Sequence, residues 1–84
     1  MRYSVKYKKA AEKKLDKLDP FVRDRIKAWI DKNLEDCENP RIKGRTLESY
    51  WRYRVGNYRL VADIQDEKII ILIVNADKRN DIYR

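Results

Sequence analysis

Residues 50–74 hold three short apolar-rich runs separated by two polar turns, and this arrangement limits the possible folds more than any other feature of the chain. The runs are 50–55 (YWRYRV), 58–64 (YRLVADI) and 68–74 (KIIILIV). Gly56-Asn57, between the first two, is a hairpin signal, because both residues accept the positive φ that tight turns demand. QDE separates the second run from the third. The apolar stretch IIILIV at 69–74 predicts a strand covered or flanked on both sides, and it is too short to span a bilayer.

Upstream, RYSVKY at 2–7 alternates, with Tyr3, Val5 and Tyr7 on one side, and reads as a strand. From Lys8 the period changes. Ala11, Leu15 and Leu18 at i, i+4 and i+7 predict a short helix to about Leu18. Asp19-Pro20 then supplies an N-cap and a first-turn proline. The second helix carries Val22, Ile26, Trp29, Ile30 and Leu34 on one stripe and stops before ENP, since the residue preceding Pro40 is pushed out of the α region. Residues 40–49 (PRIKGRTLES) read as a basic loop, and the tail from Asn75 onward as polar.

The expected order is β-α-α-β-β-β. It predicts an α+β fold: a small antiparallel-rich four-stranded sheet, with a two-helix hairpin packed on one face. At 84 residues the chain is expected to be one domain, 1–84.

Parity sorts the first hairpin into two faces. Trp51, Tyr53 and Val55, with Tyr58, Leu60, Ala62 and Ile64 across the turn, form the side to bury under the helices. Tyr50, Arg52 and Arg54, with Arg59, Val61 and Asp63, form the other. A tight turn therefore places three arginines together on the helix-free face. Like charges opposed across strands destabilise a sheet by roughly 0.2–1 kcal/mol per pair. An anion between them removes that cost.

The charge map agrees. The net charge is +7, and residues 41–59 carry Arg41, Lys43, Arg45, Arg52, Arg54 and Arg59 against Glu48 alone. Residues 8–36 carry an ordinary mixture. A polyanionic partner is implied, nucleic acid first, an acidic protein or membrane surface second. The bland reading is a solvated strand face whose long stems cover apolar surface. Tyr50 and Tyr83 as stacking platforms, with Lys78 and Arg79 as further cations if the tail folds back across the sheet edge, tilt the balance towards single-stranded nucleic acid. Histidine is absent and Cys37 is the sole cysteine, so no internal disulfide forms and metal chemistry is not expected. The first residues, MRYSVKYKKAAEKK, lack the apolar core of a signal peptide, and a cytoplasmic location is expected.

The hairpin WRYRVGNYRLV at 51–61, the closing DKRNDIYR at 77–84 and the element order together resemble the RelE/ParE toxins of bacterial toxin–antitoxin pairs. The resemblance covers nearly the whole chain. It implies one of two activities: RelE-type mRNA interferases cleave messenger RNA in the ribosomal A site, whereas ParE-type toxins poison DNA gyrase by contact. A plain RNA-binding module without catalysis is the third reading of the basic face. Arg52 and Arg54 match the two basic residues of the first RelE hairpin strand, Arg59 matches the arginine after a tyrosine on the next, and Arg79 and Tyr83 match the tail. These five are the implied catalytic residues, with Lys43, Arg45, Tyr50 and Lys78 as RNA-binding candidates.

One departure matters. Relatives often carry lysines where this chain has Arg52 and Arg54, and some use a histidine or glutamate as base. Arginine is a poor base at neutral pH. Lys78, Glu48 and Asp81 are the remaining candidates for that role. The resemblance also implies partners: a cognate RelB-like antitoxin, acidic and partly disordered, and the 70S ribosome with its mRNA. The open arginine face is one expected docking place for the antitoxin, and the seam between the helices is a second. No cofactor and no membrane are implied.

Overall fold

The structure is a computed structural model and describes residues 2–78. Arg79, Asp81 and Tyr83 lie outside the described residues. The elements are β1 (Ser4–Tyr7), α1 (Lys9–Asp16), α2 (Pro20–Asn33), β2 (Gly44–Leu47), β3 (Tyr50–Val55), β4 (Tyr58–Gln65) and β5 (Ile70–Lys78). The strands form one sheet in the order β1-β5-β4-β3-β2. The β1–β5 pair is parallel and the other pairs are antiparallel.

The expected architecture holds, with two corrections. The first concerns 40–49, where part of the supposed loop is β2, making the sheet five-stranded and the order β-α-α-β-β-β-β. Leu47 pairs with Tyr50, so Glu48-Ser49 is itself a two-residue turn, with Glu48 at φ 56°. A glutamate there carries none of the usual hairpin chemistry. The second correction concerns the tail: β5 continues through Asn75, Ala76, Asp77 and Lys78, past an irregularity in the β4–β5 ladder at Val61/Ala62. The third apolar run is inner, as expected, lying between β1 and β4. It begins at Ile70, because Ile69 sits in the preceding turn at φ 55°.

Local chemistry explains the helices. Asp19 accepts a hydrogen bond from the Phe21 amide at 2.9 Å, with Pro20 in the first turn, which satisfies an otherwise orphaned donor of α2. After Asn33 the chain reaches Asp36 at φ 66°, a conformation that ends a helix.

Both helices press on one face of the sheet. Ala11 and Leu15 of α1, Ile26 and Ile30 of α2, and Leu34 meet Tyr53, Leu60, Ala62, Ile71 and Ile73, all essentially sealed from solvent. Burying a side chain of this size contributes roughly 1.5–3 kcal/mol. Tyr53 lies at the centre, tilted against Trp29 with ring centroids 5.9 Å apart, and its hydroxyl donates to the Pro40 carbonyl. Burial pushes the Tyr53 phenol far above its ordinary range. Among the described residues no helix is long and apolar enough to cross a membrane.

Candidate functional site

The site is built by register. Val55 pairs with Tyr58 across Gly56-Asn57, and Gly56 stands at φ 60°, so the turn is as tight as its composition requires. Tightness fixes the rest. Arg54 falls directly opposite Arg59, and on the other side of β3 Arg45 falls directly opposite Arg52. Paired residues share a face. Four arginines from three adjacent strands therefore occupy one patch on the side away from the helices. Arg45 and Arg54 are exposed, while Arg52 and Arg59 are half-buried.

Among the described residues none of the four takes part in an ion pair or a side-chain hydrogen bond. The Nε of Arg59 is buried with no hydrogen-bond partner among them. Buried polar groups are ordinarily satisfied, so an orphaned guanidinium donor marks a place where an acceptor belongs. An open concavity of about 560 Å³ is lined by Ile42, Lys43, Gly44, Arg45, Arg52 and Arg54. Two candidate cations on β2 and its approach, Lys43 and Arg45, thus converge with the hairpin arginines.

Gly44 permits this. A Cβ there would sit 2.5 Å from the Arg52 carbonyl oxygen and 2.7 Å from the Trp51 indole nitrogen, so only glycine lets β2 pass so close.

Of the other sequence candidates, one lies on the arginine face and two fall elsewhere. Tyr50, 42% exposed, shares the arginine face and stands two residues from Arg52, roughly 7 Å along the strand, and four from Arg54. Lys78 is in register with Tyr58 and so belongs to the helix-side parity, not to the arginine face. Glu48, in the β2–β3 turn, is at the end of the hairpin remote from Arg54 and Arg59. Neither Lys78 nor Glu48 is placed to act as a base within the cluster. Burial pushes the Cys37 thiol up, so it is not an activated nucleophile.

Two arrangements carried no sequence signal, because their members are far apart in the chain. Arg41 donates two hydrogen bonds to Asp66, at 3.2 and 2.9 Å, and the Tyr3 hydroxyl donates a third at 2.6 Å. This ties the approach to β2 to the β4–β5 turn and to the residue before β1. The Arg41 guanidinium, and after it the Tyr3 hydroxyl, hold the Asp66 carboxyl below its ordinary range. The second arrangement is on β5. Asp77, in register with Arg59, is bonded instead by Lys14 of α1 at 2.9 Å and by Asn75 at 2.8 Å.

Fold and site together define a small α+β domain with one face closed by helices and the other an open arginine patch. The family model for the ParE toxin of type II toxin–antitoxin systems, parDE, matches residues 5–83. The chain belongs to this ParE/RelE toxin family. It is 33% identical over 86 residues to Toxin RelG of Mycobacterium tuberculosis, covering 100% of this chain and 99% of that one. It is 31% identical over 90 residues to the mRNA interferase toxin RelE of Escherichia coli, covering 99% and 92%. Among solved structures, the toxin–antitoxin complex RelBE2 of Mycobacterium tuberculosis aligns with a TM-score of 0.84 at 27% identity, over 96% of this chain and 95% of that chain. The isolated Escherichia coli RelE toxin aligns with a TM-score of 0.71 at 26% identity, over 96% and 90%. The protein is a RelE-like toxin of a toxin–antitoxin system.

Proposed function

We propose that this toxin is a metal-independent endoribonuclease that cuts mRNA in the A site of the ribosome and so inhibits translation. The observation that carries the reading is the cross-strand pairing of Arg54 with Arg59 beside that of Arg45 with Arg52. It is supported by relatives named mRNA interferase at 31% identity.

The reaction is attack of an RNA 2′-OH on the adjacent phosphate. The 2′-oxygen bonds to phosphorus, the bond to the 5′-oxygen breaks, and a cyclic 2′,3′-phosphate and a free 5′-hydroxyl result. Arg52 and Arg54 bind the scissile phosphate through bidentate hydrogen bonds, which an ammonium group cannot make. Their charge acidifies the 2′-OH, whose proton passes to water. Arg59 stabilises the charge that develops on the phosphoryl oxygens, where its unpartnered donor has a use. Arg79 hydrogen-bonds the leaving oxygen, which is protonated from water, and Tyr83 stacks on a base or orients the 2′-OH. Lys43 and Arg45 hold the flanking backbone.

A cluster of cations without a good base depends on positioning, and positioning is lost on a floppy substrate. Free RNA is therefore a poor substrate, and the ribosome supplies the constraint. A RelB-like antitoxin, acidic and partly disordered, neutralises the arginine face in the resting complex. Structural neighbours that are toxin–antitoxin complexes support that partnership.

Primer extension on mRNA from a translation reaction tests the reading. Cuts at ribosome-occupied codons, lost in Arg59→Ala, are expected. An intact message with translation unaffected would overturn it. The matching family model carries the ParE name, so DNA breaks in a gyrase assay would then establish the gyrase-directed alternative.

A further inference from the structure

The chain places a carboxylate beside its own phosphate-binding cluster and then ties it away. Arg59 is flanked in register by Arg54 on one side and by Asp77 on the other. Directly opposed residues on an antiparallel pair hold their Cβ atoms roughly 4.5–5.5 Å apart. Arginine and aspartate at that separation form one of the strongest side-chain pairs available, shorter and about twice as strong as a neutral hydrogen bond. Yet among the described residues Asp77 and Arg59 form no ion pair.

The reason is on the other side of the strand. β1 leaves β5 at Ile73, and α1 packs against β5 as well. Lys14, in the last turn of α1, puts its Nζ 2.9 Å from Asp77 Oδ1. Asn75 donates from Nδ2 to Asp77 Oδ2 at 2.8 Å, and its own Oδ1 accepts from the Ala76 amide at 3.0 Å, which fixes its orientation. Each carboxylate oxygen therefore already accepts a hydrogen bond that draws it towards α1 or Asn75, while the Nε of Arg59 has no partner among the described residues.

We propose that Lys14, with Asn75, is a positioning residue that withholds Asp77 from Arg59 and so keeps Arg59 free for phosphate. The inference rests on the reading of the arginine patch as an RNA phosphate site. As a stabilising contact the pair is weak, because both side chains are substantially exposed, at 51% and 34%. Its consequence is for the charge of the site. Released from Lys14, Asp77 closes on Arg59, removes one cation from the patch and competes with the phosphate for the same donors.

Four proteins test this: wild type, Lys14→Gln, Asp77→Asn and the double variant. All four are expected to melt at the same temperature to within a few degrees. Ribosome-dependent cleavage should fall about tenfold or more in Lys14→Gln, the loss that goes with a charged hydrogen bond. It should be at or above the wild-type level in Asp77→Asn, and it should return to the Asp77→Asn level in the double variant. That rescue is something a merely structural Lys14 could not give.

Unchanged cleavage in Lys14→Gln overturns the proposal, as does a double variant as weak as Lys14→Gln. Loss of cleavage in Asp77→Asn alone also overturns it, by making the carboxylate itself catalytic. If the wild type cuts no message, the nuclease reading fails on its own. The same four proteins are then compared by affinity for a single-stranded RNA oligonucleotide across a salt series. Lys14→Gln should flatten the salt slope by roughly 0.7, one phosphate contact, and Asp77→Asn should restore it. Equal slopes, or no RNA binding by any of the four, would sink the proposal.

Discussion

Arg54 and Arg59 face each other across the β3–β4 ladder, one residue in from each side of the Gly56-Asn57 turn. Two like charges at that spacing are a cost to the fold, and the described carboxylate in register with them, Asp77, is engaged elsewhere. An anion between the two would remove that cost.

Removing one member should therefore separate stability from activity. Arg59→Ala or Arg54→Ala is expected to leave stability unchanged or raise it by roughly 0.2–1 kcal/mol, since a repulsion is relieved. In a domain of this size that is a rise in melting temperature of no more than about 4–8 °C. Cleavage on the ribosome should be lost. Thermal denaturation beside primer extension checks both; a variant that unfolds on mutation would show the arginines to be structural.

Gly44→Ala tests the close approach of β2. A methyl group placed 2.5 Å from the Arg52 carbonyl oxygen must push the edge strand away. Overpacking of this kind costs roughly 1–3 kcal/mol. Arg45 moves with β2, so affinity for single-stranded RNA should fall alongside stability. Chemical denaturation and a binding titration measure the two; no loss in either would mean the strand relaxes freely.

Asp66 gives a pH signature. Its carboxyl is held below the ordinary range in the folded protein by Arg41 and then by Tyr3. The stability it lends is present above the unfolded-state pKa, about 3.9, and is lost as pH falls through the lower folded value. Asp66→Asn should thus be the less stable protein at neutral pH, and the two melting curves should converge below about pH 4. A gap that persists in acid would rule out the carboxylate as its source.

The buried tyrosines give the opposite limb. Burial pushes the Tyr7 phenol up to about 12, helped by the charges of Asp31, Glu35 and Glu12. A raised pKa contributes stability below the unfolded value near 10 that is lost as pH rises through the folded one. Tyr7→Phe should therefore resist alkaline unfolding better than wild type between about pH 10 and 12, as ultraviolet titration of phenolate would record. A Tyr7 that ionises near pH 10 in the folded protein would contradict the burial.

The site was legible in the sequence wherever the chemistry is local. Gly56-Asn57 announces its own turn, and the turn sets the parity that brings Arg52, Arg54 and Arg59 together. Asp19-Pro20 likewise marks the start of α2. β2 was not legible, for a physical reason. An edge strand with Arg45 and Thr46 both exposed needs no alternation, and a turn made by Glu48-Ser49 carries no glycine or asparagine. The place of Lys78 was not legible, because nothing in a polar tail reveals that β5 continues to it, with an irregularity in the ladder on the way. The Arg41–Asp66 and Lys14–Asp77 pairs, 25 and 63 residues apart, are products of the fold alone.

The position of β5 bears on when the protein becomes dangerous to the cell that makes it. It follows every other described element, yet it lies between β1 and β4 in the sheet. The β2, β3 and β4 hairpins can close from neighbours as they emerge, but the β1–β5 ladder joins Ser4 to Ile70 and waits for all that lies between. Until residues 70–78 are made, β4 has an open edge, the helices lack Ile71 and Ile73 to rest on, and the arginine hairpin has no platform. Residues 4–65 can therefore be made without a supported arginine patch, which exists only once residues 70–78 have joined β4 to β1.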